Sequence, residues 1–289
     1  MRHCQNFIAG RFVEARTDAV SAVINPATGE PFATVPLATD TDVIKAAMHA
    51  AAAQRSWGRL PSIERGNALR RLADLLERQA DRIGAALAEE SGKSLADATA
   101  EVGYGVELMR YHAEWARRIE GELIDSDTPN ETLMLQRVPI GVVACLIPFN
   151  FPIYTLVRKI APALIAGNAV VVRPSNTTPT SAFAFAEAVK EAGLPEGLIS
   201  ILTMTHEVAA TLCRRPEIGM ITLTGSVTAG QAVLDFCKEN IAKPSLELGG
   251  KTPVIVEPDA DLDAVAKSLL AAKTTHCGRR AALRACLRA

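Results

Sequence analysis

The chain has 289 residues, with 31 Lys and Arg against 32 Asp and Glu, 48% hydrophobic and 22% charged residues. That length holds one large domain and part of a second, and the composition is that of a globular protein with a sizeable core. A net charge of −1 gives no long-range field to attract nucleic acid or an anionic membrane, so neither is expected as a partner.

The opening "MRHCQNFIAG" has no apolar signal region. The longest apolar run, "IAPALIAGNAVVV", is interrupted by Pro162, Gly167 and Asn168. Neither a secretory leader nor a bilayer span is expected from these stretches. The cysteines at 4, 145, 213, 237, 277 and 286 form no CxxC pair and no zinc-ligand spacing. They point to a reducing, cytoplasmic setting with no metal. Cys145, Cys213 and Cys237 sit in apolar segments and read as small buried hydrophobes.

In chain order, the first forty residues read as β-hairpins. "NFIAGRFVE" and "VINPATGEPFATVP" set Gly and Pro turns between short alternating runs. From Asp40 to about Arg118 the pattern is helical. "TDTDVIKAAMHAAAAQRSW" opens on cap residues. "PSIERGNALRRLADLLERQADRIGAALAEESG" predicts one long helix between Pro61 and Gly92. "LADATAEVGYGVELMRYHAEWARRIEG" predicts a third. Tyr111 and Trp115, four apart, share a face there and are expected in the core; His112 is expected to be structural or exposed. "ELIDSDTPNETLMLQRVPIG" predicts a hairpin around a polar turn.

The rhythm then changes. The apolar runs "GVVACLI", "NAVVVRPS", "GLISILT" and "IGMITLTGS" alternate with amphipathic helices. That pattern predicts βαβ units and a parallel sheet buried on both faces, with ligands beyond the carboxyl ends of its strands. "KPSLELGGKTPVIVEPDADLD" begins a fresh set, placing a domain boundary near Glu247.

Four stretches carry candidate chemistry. "TGSVTAG" follows a strand and opens a helix, where free N–H groups favour an anion; Ser226 can bond a phosphate or simply cap the helix. "VVVRPSN" puts Arg173 and Asn176 at a strand's carboxyl end, as ribose contacts or as ordinary loop residues. Asn150, between the prolines of "IPFNFP", can donate to a developing oxyanion or be a turn residue. Glu247 in "LELGG" has apolar neighbours, so its carboxylate is expected to be desolvated, as a general base or a paired structural acid.

In this order these stretches resemble the aldehyde dehydrogenase superfamily. "IPFNFP", "KIAPALIAGNAVVVRPSNTTPTSA", "EAGLPEGLISIL", "MITLTGSVTAG" and "SLELGGKTPVIVEPDADLDAV" are all similar to its segments, from about Asn6 to about Gly278. "MRYHAEWARRIEGELIDSD" further resembles the lactaldehyde and glycolaldehyde dehydrogenase branch. The resemblance implies an α/β fold: a Rossmann-like coenzyme domain with N-terminal helices over residues 1–247, its hairpin at 121–139 an oligomerisation arm, and the start of an α/β catalytic domain over 248–289. It implies oxidation of a small hydroxyaldehyde to an acid with NAD or NADP, in a homo-oligomer. A cysteine thiolate attacks the aldehyde and hydride passes to the cofactor. Asn150 then resembles the oxyanion-hole residue and Glu247 the general base. Gly225 and Ser226 resemble pyrophosphate contacts, and Ile147, Pro148 and Phe149 the nucleotide-side turn. Leu248 and Gly249 would lie near the nicotinamide.

Two departures change the expectation. The family's Lys-Pro-Ser-Glu is here Arg173-Pro174-Ser175-Asn176. Neutral Asn176 removes a carboxylate that would repel a 2′-phosphate, so NAD specificity over NADP is not implied. The family's Gly-Gln-x-Cys is here Gly278-Arg279-Arg280-Ala281, so Ala281 takes the nucleophile's place, and "RRAALRACLRA" has no family pattern. A frame shift after Gly278 with an early stop would produce this; a divergent short protein is the alternative. The chain is therefore expected to be C-terminally truncated, to lack most of a catalytic domain, to be inactive on aldehydes and to assemble poorly. The competing expectations are a non-catalytic nucleotide-binding module and a pseudogene product.

Overall fold

The computed structural model describes residues 1–14, 19–250, 253–274 and 287–288. Strands β1 (Arg2–His3), β2 (Asn6–Ile8), β3 (Arg11–Val13), β4 (Val20–Ile24) and β5 (Pro31–Pro36) come first. β2 and β3 form the predicted hairpin. Its two turn residues, Ala9 and Gly10, both have positive φ, 51° and 76°, which matches the twist of the flanking strands. β4 pairs antiparallel with β5, and β1 adds parallel to β5.

Helix α1 (Asp40–Trp57) opens on a reciprocal capping box between Thr39 and Asp42. The single helix predicted between Pro61 and Gly92 is two, α2 (Ser62–Arg78) and α3 (Ala80–Ser91). They break at Gln79, whose φ −101° and ψ 9° leave the helical region. α4 (Leu95–Ala113) starts at the Ser94 cap and continues as a 3₁₀ turn over Glu114–Arg117. Tyr111 and Trp115 do not enter the core: they are 51% and 39% exposed. The buried face of α4 is Ala98, Val102, Val106, Met109 and Ala113. These small and medium side chains let α4 pack on α2 and α3, and Tyr111 lies off that stripe. His112 is half-buried. β6 (Glu122–Asp125) and β7 (Thr132–Leu135) form the predicted hairpin, exposed along its whole length.

The central layer alternates as the sequence predicts: β8 (Val142–Leu146), α5 (Pro152–Ile165), β9 (Ala169–Arg173), α6 (Thr180–Glu191), β10 (Ile199–Ile201), α7 (His206–Cys213), β11 (Ile218–Thr224), α8 (Val227–Asn240) and β12 (Lys243–Glu247). Strand order is β12-β11-β8-β9-β10, all parallel, and then β2-β3 antiparallel. The N-terminal hairpin thus extends the parallel sheet and makes it mixed. It covers the β10 edge, whose backbone groups would otherwise be unpaired. α5 and α6 pack together on the sheet, with α2–α4 outside them, while α1, α7 and α8 form a second group. β8, β9 and β10 step one way and β11 returns to the other side of β8. The connectivity therefore reverses between β8 and β11, and a crevice opens at such a reversal. β13 (Ile255–Val256) and α9 (Leu262–Thr274) follow. Cys145, Cys213 and Cys237 are buried as expected.

Candidate active site

The carboxyl ends of β8, β9, β11 and β12 place the sequence-predicted residues along one edge of the sheet. Beyond β8, the turn 147–151 is pinned at both ends. Ile147 is buried and its N–H donates to the Arg173 carbonyl at 2.9 Å. Pro148 is half-buried and the Phe149 ring is 53% exposed. The Phe149 carbonyl accepts from Thr178 Oγ1 at 3.5 Å. Asn150 is half-buried and faces a cavity of about 800 Å³.

Glu247, the last residue of β12, pairs in register with Thr224 of β11. Asn150, Thr224 and Glu247 line the same cavity, so two residues far apart in sequence meet at the reversal point. The expected desolvation of Glu247 is not observed. Its side chain is exposed, because β12 is the edge strand and "GG" carries the chain away from the core.

The pyrophosphate candidates behave differently from one another. Ser226 caps α8, its Oγ accepting from the Ala229 N–H at 3.1 Å. Val227 and Thr228 are exposed beside it, and first-turn N–H groups have no partner inside a helix. A diphosphate fits that terminus. Gly225 is less available, since its N–H donates to the Glu247 carbonyl at 3.0 Å. Leu248 lies over α8, where a Cβ on Gly230 would come within 2.8 Å of both its methyls, the mobile ends of an exposed side chain. Leu248 and Gly249 are exposed.

Arg173 and Asn176 converge on one acceptor, the Met204 carbonyl, at 3.4 and 3.1 Å. Arg173 Nε and Asn176 Oδ1 are buried without a hydrogen-bond partner among the described residues. Burial pushes the Arg173 guanidinium below its usual value. An unspent donor and acceptor at the end of β9 suit the hydroxyl groups of a sugar. Ser175 is half-buried and its Oγ lies 2.9 Å from Thr177 Oγ1.

Sequence reading missed the opposite wall of the cavity. Tyr104, Glu107, Leu108 and Tyr111 from α4 form it, with Tyr154 and Arg158 from α5. The signal was the spacing of 104, 108 and 111, which puts two tyrosines and a leucine on one helical face. Lys159 was also missed. It is buried, and its Nζ donates to Thr222 Oγ1 at 2.9 Å. A lysine inside the apolar "IYTLVRKIAPALI" was the signal. Burial holds its pKa down, against the opposing pull of the Glu247 carboxylate. Among the described residues no set of three His, Cys, Asp or Glu side chains is placed to hold a metal, and no helix is long and apolar enough to cross a membrane. Gly278, Ala281, Cys277 and Cys286 lie outside the described residues.

The sequence pattern of the Aldehyde dehydrogenase family matches residues 12–284, past Gly278, where the sequence reading ends the likeness. The lactaldehyde dehydrogenase of Escherichia coli K12 is 40% identical over 274 residues, covering 94% of this chain and 57% of that protein. The chain therefore spans little more than half the length of that relative. A solved lactaldehyde dehydrogenase structure superposes with a TM-score of 0.96 at 38% identity, over 99% of this chain and 60% of the other. A cysteine-to-alanine mutant of an aldehyde dehydrogenase from Pseudomonas syringae, in complex with NAD+ and octanal, superposes with a TM-score of 0.93 at 30% identity, over 99% and 58%.

Proposed function

The chain belongs to the aldehyde dehydrogenase family, and from that premise we propose that it is the dinucleotide-binding part of an NAD(P)-linked enzyme that oxidises a small hydroxyaldehyde to its acid. Residues 1–247 form the coenzyme-binding unit in this reading, and 248–289 begin a catalytic unit. The observation that carries it is the meeting of Asn150 and Glu247 on one cavity, beside the exposed N-terminus of α8. The α8 terminus and Ser226 hold the diphosphate; Arg173, Ser175 and Asn176 hold the adenosine ribose; Leu248 and Gly249 border the nicotinamide. The cofactor, when bound, supplies the hydride acceptor. Asn150 donates its side-chain amide to the aldehyde oxygen as negative charge develops there. In a family enzyme that keeps the cysteine, a residue in the place of Glu247, in contact with solvent, would take a proton from the water that displaces the thiolate and releases the acid. Tyr104, Tyr111, Glu107 and Arg158 give the opposite wall hydroxyl and charged groups, which suits a hydroxylated substrate better than an alkyl one.

Ala281 stands where the family's nucleophile is read, so the chain binds dinucleotide and does not turn over aldehyde. The exposed β6–β7 hairpin, with Leu123 72% and Met134 66% accessible, is the assembly arm; its apolar surface favours association.

Fluorescence titration of the purified chain with NADH and NADPH tests the cofactor site, and absence of binding by both at millimolar concentration overturns it. A spectrophotometric assay with lactaldehyde or glycolaldehyde tests the second claim. Cofactor reduction that disappears in Cys277→Ala would overturn it and name a substitute nucleophile.

A further inference from the structure

α5 begins directly after the Asn150 turn and has no cap of its own. Its N-cap residue is Phe151, and Pro152 follows at the first helical position. The next two N–H groups, of Ile153 and Tyr154, both donate to Glu101 Oε1, at 3.0 and 3.1 Å. Glu101 comes from the middle of α4 and is fully buried. Its other oxygen, Oε2, accepts from Lys93 Nζ, and both side chains of that ion pair are 0% exposed. The Lys93 ammonium also sits 4.5 Å above the centre of the Phe151 ring.

We propose that Glu101, held by Lys93, is a positioning residue for Asn150: it supplies from α4 the cap that α5 lacks and so fixes the turn that aims the Asn150 amide into the cavity. A buried carboxylate is a costly way to satisfy two N–H groups, since removing ions from water outweighs much of their attraction. A polar residue at position 151 would cap the helix at lower cost. Position 151 instead holds an aromatic ring clamped by Lys93, so three attachments converge on Phe151, Ile153 and Tyr154, directly after Asn150. α4 also supplies Tyr104, Glu107 and Tyr111 to the opposite wall. Through Glu101 the same helix sets both walls, and their spacing does not depend on the sheet alone. This inference rests on the reading of Asn150 as the oxyanion donor.

The test compares two double variants of the full chain, Lys93→Met/Glu101→Gln and Lys93→Met/Glu101→Leu. Both remove the buried charges and keep side-chain volume; only the first keeps an acceptor for α5. The readout is the Asn150 side-chain amide signal in nitrogen-15 NMR, assigned by its loss in Asn150→Ala, with amide exchange at Ile153 and Tyr154 alongside. The Gln variant is expected to keep the Asn150 signal. The Leu variant is expected to shift or broaden it and to speed exchange of the two amides about tenfold or more. Faster exchange with an unmoved Asn150 signal makes Glu101 a purely structural cap and overturns the proposal. If the Leu variant does not fold, Lys93→Met/Glu101→Asn, one methylene too short to reach both amides, is read in the same way. NADH binding to the wild-type chain is measured separately, and its failure sinks the functional reading without touching the Asn150 comparison.

Discussion

Lys159 Nζ donates to Thr222 Oγ1 at 2.9 Å across the join between α5 and β11. Lys159 is 8% exposed and Thr222 is 7% exposed, so an ammonium ion is held beneath the cavity with the Thr222 hydroxyl as an acceptor. Burial lowers its pKa from the ordinary 10.5. The unfolded chain then binds more protons than the folded one between the lowered value and 10.5, and stability rises with pH across that window. Lys159→Met removes the titrating group. The expected outcome is a flatter stability curve on the alkaline side than for wild type, with equal or higher stability at neutral pH, because loss of one hydrogen bond of about 1 kcal/mol is offset by relief of the buried charge. Urea denaturation at a series of pH values measures both; a parallel pair of curves refutes the assignment.

Glu90 has the opposite sign. It is fully buried on α3 and accepts from the N–H and hydroxyl of both Thr180 and Ser181, at the uncapped start of α6. Burial is the largest influence and raises its pKa from 4.5 to about 7. A raised carboxylate binds its proton more tightly when folded. Its stabilising contribution is complete below pH 4.5 and is lost as pH rises through 7. The slope amounts to roughly 3 kcal/mol over that interval. Glu90→Gln keeps an acceptor for α6 and removes the titration. The expected result is a variant whose melting temperature changes less than that of wild type between acid and neutral pH. Identical pH profiles would show that the four donors cancel the effect of burial and leave the Glu90 pKa unchanged on folding.

The two helix-capping carboxylates mark the limit of what sequence shows. The βαβ alternation was legible because each buried strand is a short apolar run, and so was Ser226, because a cap lies one residue from the helix it starts. The positions of Asn150 and Glu247 were legible as types, but not their meeting, which depends on β11 returning to the far side of β8. Burial of Glu247 was misread because flanking Leu246 and Leu248 say nothing about which strand is the edge. The split at Gln79 was illegible, since residues on both sides keep a helical period. Glu90 and Glu101 sit on buried faces of α3 and α4 among ordinary surface acids, and nothing local distinguishes them from Glu89 or Glu107. Only the N-termini they reach, 90 and 52 residues away, explain their burial.

Glycines at helix contacts give a contrast that thermal melts can read. A Cβ on Gly66 would lie 2.8 Å from the Ala116 Cβ and 2.9 Å from the Ala113 carbonyl oxygen. Those atoms belong to the turn ending α4 and cannot move without shifting α4 from α2. Gly66→Ala is expected to destabilise by about 1–3 kcal/mol despite its better helix propensity. On Gly230 the nearest atoms, at 2.8 Å, are the terminal methyls of exposed Leu248. Gly230→Ala is expected to be neutral or to stabilise by up to about 1 kcal/mol. Equal losses at the two sites would contradict this account of the packing.

Cofactor choice turns on Asn176. Its Nδ2 is committed to the Met204 carbonyl at 3.1 Å, while Oδ1 is buried without a partner among the described residues. Arg173 reaches the same carbonyl at 3.4 Å, so the loop presents one cation and no carboxylate. A 2′-phosphate meets no like charge there, and the expected preference between NADH and NADPH is less than about a hundredfold, or 2.7 kcal/mol. Asn176→Glu introduces that like charge a short distance from Arg173. Partial pairing with Arg173 screens it, so the expected loss of NADPH affinity is about ten- to thirtyfold, roughly 1.4–2 kcal/mol, with NADH affinity kept or improved. Arg173→Met in the same background removes the screening and widens the gap further. The measurement is paired fluorescence titration of NADH and NADPH at fixed ionic strength, repeated at high salt. The NADPH penalty should shrink as salt screens the repulsion at this half-exposed loop. A substitution that weakens both dinucleotides equally would place Asn176 in the architecture of the β9 turn and remove it from cofactor choice.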